Sequence, residues 1–160
     1  MKITPHHGLG DIPLGISRGM VLRLLGQPDE KDAETFADGS EIEYFEYNSP
    51  AVSLGFSSVD GDKLGTITIR SEEATLEGRR VVGVPIDELL ENCPGLVLDD
   101  DFEENGQDYV DDARGLSFWV SDGIVDNVTV FPDWIDDETP RWPETRITEQ
   151  VSGGNGGQRP

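Results

Sequence analysis

A chain of 160 residues and 17.6 kDa is the size of one ordinary domain, large enough to bury a core without disulfides or a structural metal. It carries 33 Asp and Glu against 12 Lys and Arg, a net charge of −21, which repels nucleic acid and anionic membranes and attracts cationic partners. The lone Cys93 excludes an internal disulfide, and a zinc site would have only Cys93, His6 and His7 to draw on.

Lys2 to Thr4 reads as a short strand closed by Pro5, which lacks a backbone donor. His6 and His7 follow in a glycine-bearing loop; adjacent side chains diverge, so they read as exposed loop residues rather than a ligand pair. The start MKITPHHGLGDIPLG has no apolar run of signal-peptide length and no lipid-attachment cysteine, and no stretch approaches the ~18 apolar residues of a membrane span. This predicts a cytoplasmic protein.

Gly10 to Glu30 is the organising segment. Ser17 is placed to cap a helix in which Met20, Val21, Leu24 and Leu25 share one face, and Gly26 and Pro28 end it. Gly19 weakens that helix by about 1 kcal/mol relative to Ala, so it must be held by packing. Strands are predicted at Glu41 to Tyr47, Ala51 to Phe56 and Leu64 to Arg70, with turns at Asn48-Ser49-Pro50 and Asp60-Gly61, forming an antiparallel meander.

The order then repeats in shortened form. Pro85 stands at a first helical position, Ile86, Leu89, Leu90 and Cys93 make an apolar stripe, and Pro94-Gly95 stops it. Cys93 therefore reads as core, where a free cysteine behaves as a small hydrophobe. Strands follow at Asp108 to Ala113, Leu116 to Val120 and Ile124 to Phe131, the last two joined at Asp122-Gly123. Thr66 to Ile69 and Asn127 to Val130 match at a spacing of 61 residues, the helices at 68. Trp134 and Trp142 are expected to fold back over the sheet, and 143–160 reads as a flexible tail.

The densest acidic run, Asp99 to Asp112, holds eight carboxylates in fourteen residues. Asp101, Glu103, Asn105, Gly106 and Asp112 fall on the first, third, fifth, sixth and twelfth positions of a calcium loop. The match is imperfect, with a long Glu third, Asp108 in place of an apolar eighth residue and a short Asp twelfth. A solvated acidic loop, or a docking surface in which carboxylates steer a basic protein and Phe102 and Tyr109 anchor it, fits better. Asp133, Trp134, Asp136, Asp137 and Glu138 form a second acidic-aromatic patch. No nucleophile elbow, phosphate loop or dinucleotide fingerprint occurs, which predicts a non-enzyme without cofactor or metal.

The run Ile12 to Ser17, the helix ending Leu25-Gly26-Gln27-Pro28 and the following meander resemble the repeat unit of beta-lactamase-inhibitor-like proteins and of related small outer-membrane assembly lipoproteins. The resemblance covers about the first 70 residues reasonably and the second half loosely, and implies two helix-and-strand units on one sheet with helices on one side and an open face that binds another protein. Small size, acidity and the missing catalytic set are also similar to bacterial immunity proteins, which neutralise a cognate toxin; many such toxins are nucleases with basic clefts.

The resulting expectation is an α+β domain over 1–142: two tandem helix-plus-antiparallel-meander units, roughly 1–72 and 79–131, sharing one largely antiparallel sheet with the helices packed on one face. The expected function is inhibition of a basic toxin or enzyme domain, with no nucleic-acid or membrane partner. Asp99, Asp100, Asp101, Glu103, Glu104, Asp108 and Tyr109 form the expected partner-binding set, with Trp134 and Asp136 next. The alternatives are a calcium- or ligand-binding module, or a structural domain with no inhibitory role.

Overall fold

Ser17 begins the first helix as its spacing predicts: its backbone is extended and its Oγ accepts from the Met20 N–H at 3.2 Å. The helix α1 (Arg18–Leu25) buries Met20 and Val21 and stops at Gly26, whose φ of 79° suits a residue without a Cβ. Tyr47 Oη donates to the Gly26 carbonyl at 2.9 Å, tying the stop to the sheet. In this computed structural model residues 1–144 are described.

Three short strands precede α1: β1 (Lys2–Thr4), β2 (Gly8–Leu9) and β3 (Ile12–Pro13). After it come β4 (Glu30–Thr35), β5 (Glu41–Asn48), β6 (Ala51–Ser57), a 3-10 turn at Ser58–Asp60 and β7 (Leu64–Ile69). Two short strands, β8 (Thr75–Leu76) and β9 (Arg79–Arg80), lead to helix α2 (Ile86–Asn92). The rest is β10 (Val97–Asp101), a 3-10 turn at Glu103–Asn105, β11 (Gln107–Asp111), β12 (Leu116–Ser121), β13 (Ile124–Val130), β14 (Asp133–Asp136) and β15 (Thr139–Arg141).

The main sheet has eight strands in the order β10-β11-β12-β13-β7-β6-β5-β4, and every neighbouring pair is antiparallel. Its middle is the β13/β7 seam, where Val128, Thr129 and Val130 pair with Ile69, Thr68 and Ile67. Period-two alternation then sorts the side chains. Leu116, Phe118, Val120, Val128, Val130, Ile67, Ile69, Val52, Leu54, Phe56, Phe45 and Tyr47 are buried on one face. Ser117, Trp119, Thr129, Thr68, Ser53 and Tyr44 stand on the other, where they are only half-buried.

The expected α+β arrangement of two helix-plus-meander units with helices packed on one face is overturned. The fold is mostly β, and its helices are minor elements of 8 and 7 residues that bury only Met20, Val21 and Leu89. A second sheet, β3-β2-β1-β8-β9, joins the N-terminal strands to the 75–80 segment, which straddles the gap at 73–78 between the expected units, through parallel pairing of Ile3 with Leu76. One core cluster runs through both sheets and both helices, including Ile3, Leu9, Leu14, Leu76, Val81, Leu89 and Cys93. Strands of two residues carry no readable period, which is why β1 was the one strand of this sheet that was expected.

Two further corrections concern the edges. The strands β4 and β10 were not expected; they are exposed along their whole length and rich in charge, so they lack the alternation of a half-buried strand. His6 is not an exposed loop residue: its ring is half-buried, with Nε2 2.9 Å from the Ala113 carbonyl and Nδ1 3.3 Å from that of Phe131. Trp142 does fold back, its ring lying where a Gly15 Cβ would be only 3.1–3.2 Å away. The tail expected over 143–160 lies, from residue 145, outside the described residues. Among the described residues no helix is long and apolar enough to cross a membrane.

Candidate functional site

The acidic run is a hairpin rather than a loop. Asp99, Asp100 and Asp101 lie on β10 at one edge of the main sheet, Glu103 and Glu104 form the 3-10 turn, and Asp108 and Tyr109 return on β11. The turn closes through Phe102 N–H to Gly106 O and Gly106 N–H to Glu103 O, at 2.8 and 3.2 Å. Asp101 accepts from Gln107 Nε2 at 3.0 Å and from Glu103 N–H at 2.9 Å. Those two donors, the Gln107 amide first, hold its carboxyl below the usual carboxylate range.

Register decides which side chains are presented. Asp100 and Asp108 are directly paired across the strands, an arrangement in which like charges repel. Asp108 accepts from Ser117 Oγ at 2.8 Å. None of the ion pairs among the described residues involves Asp99, Asp100, Asp101, Glu103, Glu104 or Asp108. The hairpin is thus an acidic edge without internal counter-charge.

Tyr109 is not available as its anchor. It pairs with Phe118 and Leu98, so its ring turns to the core face and packs there half-buried. The aromatic that does face outward is Trp119, paired with Asp108. Its ring lies 5.7 Å from that of Phe102, which is 49% exposed. Gly106 makes room for it, since a Cβ there would meet Trp119 Cζ2 at 2.6 Å. The alternation of Leu116, Phe118 and Val120 against Ser117 and Trp119 was the signal that Trp119 points away from the core.

The calcium-loop alignment fails on geometry. Asp101 pairs with Gln107 at the closed end of the hairpin, while Asp112 follows β11 at its far end, roughly 15 Å away at about 3.3 Å per residue. Those carboxylates cannot enclose one cation. Among the described residues no group of three or more His, Cys, Asp and Glu side chains is arranged to hold a metal.

The second patch stands apart. Trp134 and Asp136 lie on β14 in a separate two-stranded hairpin with β15. Trp134, 44% exposed, borders a groove with β5, β6 and β7 residues, none of which belongs to the β10–β11 hairpin. Asp136 is exposed, and the Glu138 N–H and then the Thr139 hydroxyl hold its carboxyl below the usual range. The nine expected residues therefore divide into an edge hairpin and a distant β14 patch, with Tyr109 turned inward.

No protein-family model matches this chain, and no curated protein matches it. Among solved structures, it is similar to an extracellular protein containing a SCP domain from Bacillus anthracis str. Ames, with a TM-score of 0.43 and 15% identity over 86% of this chain and 51% of that one. The chain spans about half the length of that protein. A likeness this distant assigns neither fold nor function.

Proposed function

We propose that this protein is an acidic, non-catalytic inhibitor of the immunity type, which binds a basic toxin or enzyme domain and blocks it by occlusion. The observation that carries the reading is the exposed Phe102 stacked near the half-buried, outward-facing Trp119, set among carboxylates of the hairpin that make no ion pair. An aromatic anchor ringed by charge is the composition of a binding hot spot, and a partner's Lys or Arg would relieve the Asp100–Asp108 repulsion while gaining a ring face. The net charge of −21 extends the attraction beyond contact range.

The hairpin also ends the sheet. Val97 and Leu98, 61% and 50% exposed, precede Asp99 on β10, the edge strand. A toxin or enzyme domain bound along this edge would cover apolar and charged groups together.

Photo-crosslinking residues placed at positions 102 and 119, with position 24 on α1 as control, test the proposal in the native cell. The expected result is one basic protein captured from 102 and 119 but not from 24, whose activity falls on stoichiometric addition of this chain. Equal capture from all three positions, or a captured protein whose activity is untouched, overturns it.

A further inference from the structure

The outer face of the main sheet holds a groove of about 230 Å³ beside the turn into β7. Ile42, Val59, Phe131, Pro132 and Trp134 give it apolar walls, and Asp60 is the one carboxylate among its lining residues. Its floor is bare because Gly55 and Gly65 lie there. A Cβ on Gly55 would meet Thr66 Oγ1 at 2.5 Å and the Tyr44 ring at 3.3 Å, and one on Gly65 would sit 3.1 Å from Asp60 Oδ2.

Asp60 is only partly exposed, and no described donor or cation engages its carboxylate. The neighbouring cations are committed elsewhere: Arg18 to Glu43 and Asp62, and Lys63 to the face of Trp142, 6.0 Å from its centroid. Burial pushes the Asp60 carboxyl above its ordinary range. A carboxylate that gives up water without gaining a partner is costly, and the missing partner is a positive charge that can itself lie against apolar walls.

A planar, delocalised cation meets both demands. A guanidinium or amidinium presents forked N–H donors to a carboxylate, stacks on an indole and is more weakly hydrated than an ammonium. We propose that this groove is a binding site for a planar organic cation, with Asp60 as its counter-ion and Trp134 as the ring on which it stacks. The site is lined by other strands than the acidic hairpin and does not rest on the inhibitor reading.

The test uses the full chain and titrates benzamidine against benzamide, its uncharged near-isostere, following the amide resonances of Gly65 and Thr66 and the indole N–H of Trp134. Benzamidine should shift these resonances with saturation in the millimolar range, and benzamide at least tenfold more weakly. Asp60→Asn should weaken benzamidine at least fivefold and leave benzamide unchanged. Gly65→Ala, which keeps the charge and crowds Oδ2, should weaken benzamidine too, and decides the matter if Asp60→Asn does not fold. N-acetylarginine amide shifting the same resonances through Asp60 identifies a protein side chain as the occupant, whereas benzamidine binding without it identifies a free cation. Equal affinity for benzamidine and benzamide, or benzamidine binding indifferent to both variants, overturns the site.

Discussion

The hydroxyls of Thr68 and Thr129 meet at 2.9 Å across the middle of the eight-stranded sheet. They are directly paired residues of β7 and β13, flanked on the core face by the Ile67–Val130 and Ile69–Val128 pairs. The strand order runs outward from this seam in both directions, so the contact joins the first four strands of the sheet to the last four. Replacing either threonine by Val should cost about 1 kcal/mol, because one half-buried hydroxyl loses its partner, while replacing both should cost less than the sum. Urea unfolding of the double-mutant cycle measures the coupling.

Gly106 adopts a φ of 125° beneath the Trp119 ring. Gly106→Ala adds both backbone strain and a clash with the ring and with Val120 O, and should cost roughly 2 kcal/mol or more. Thermal unfolding reads the loss. A shift in tryptophan emission reports displacement of the Phe102–Trp119 pair.

Reversing Asp99, Asp100, Glu103 and Glu104 to Lys should slow partner association at least about tenfold at low salt, and flatten its dependence on ionic strength. The four side chains are exposed and make no ion pair, so thermal stability should hold. Stopped-flow association with the captured partner gives the first quantity and calorimetry the second. Unchanged association at both salt extremes rejects the hairpin as the interface.

Burial raises the carboxyl of Asp60, so the folded state holds its proton more tightly than the unfolded chain. Stability then falls as pH rises between the unfolded and folded values, and the ionised form is a net cost above both. Asp60→Asn should raise the urea midpoint at pH 7, and the gain should vanish once the pH drops below the ordinary carboxylate range. A variant less stable at pH 7 would mean that the carboxylate has a structural partner.

Ser17→Ala removes the bond to the Met20 N–H and should cost about 1 kcal/mol. Hydrogen exchange localises the effect: the first turn of α1 should lose protection while the β13/β7 seam keeps it.

Local chemistry makes several features legible in the amino-acid order alone. The Ser17 cap, the Gly26 stop, the Asp122-Gly123 hairpin and the buried Cys93 each follow from one residue type in one conformation. Strands with a half-buried face show their period, so the predicted β5, β6, β7, β12 and β13 lie within a residue or two of the observed ones. The edge strands β4 and β10 and the two-residue strands of the small sheet do not, because exposed or two-residue strands have no alternation to read. Their loss turned a mostly β protein into an expected α+β one.

By itself the sequence determined the acidity, the clustering of carboxylates at Asp99 to Asp112 and the alternation that sends Trp119 outward, since these depend on residue type and a period of two. Tertiary structure alone decided which of those groups act together. Strand register turned Tyr109 to the core, set Asp100 opposite Asp108 and brought Phe102 beside Trp119. The order of strands set Trp134 against β5, β6 and β7 rather than the hairpin and opened a groove around Asp60. Register and strand order come from long-range pairing, to which residues far apart in the chain contribute jointly, and no local window of sequence contains that information.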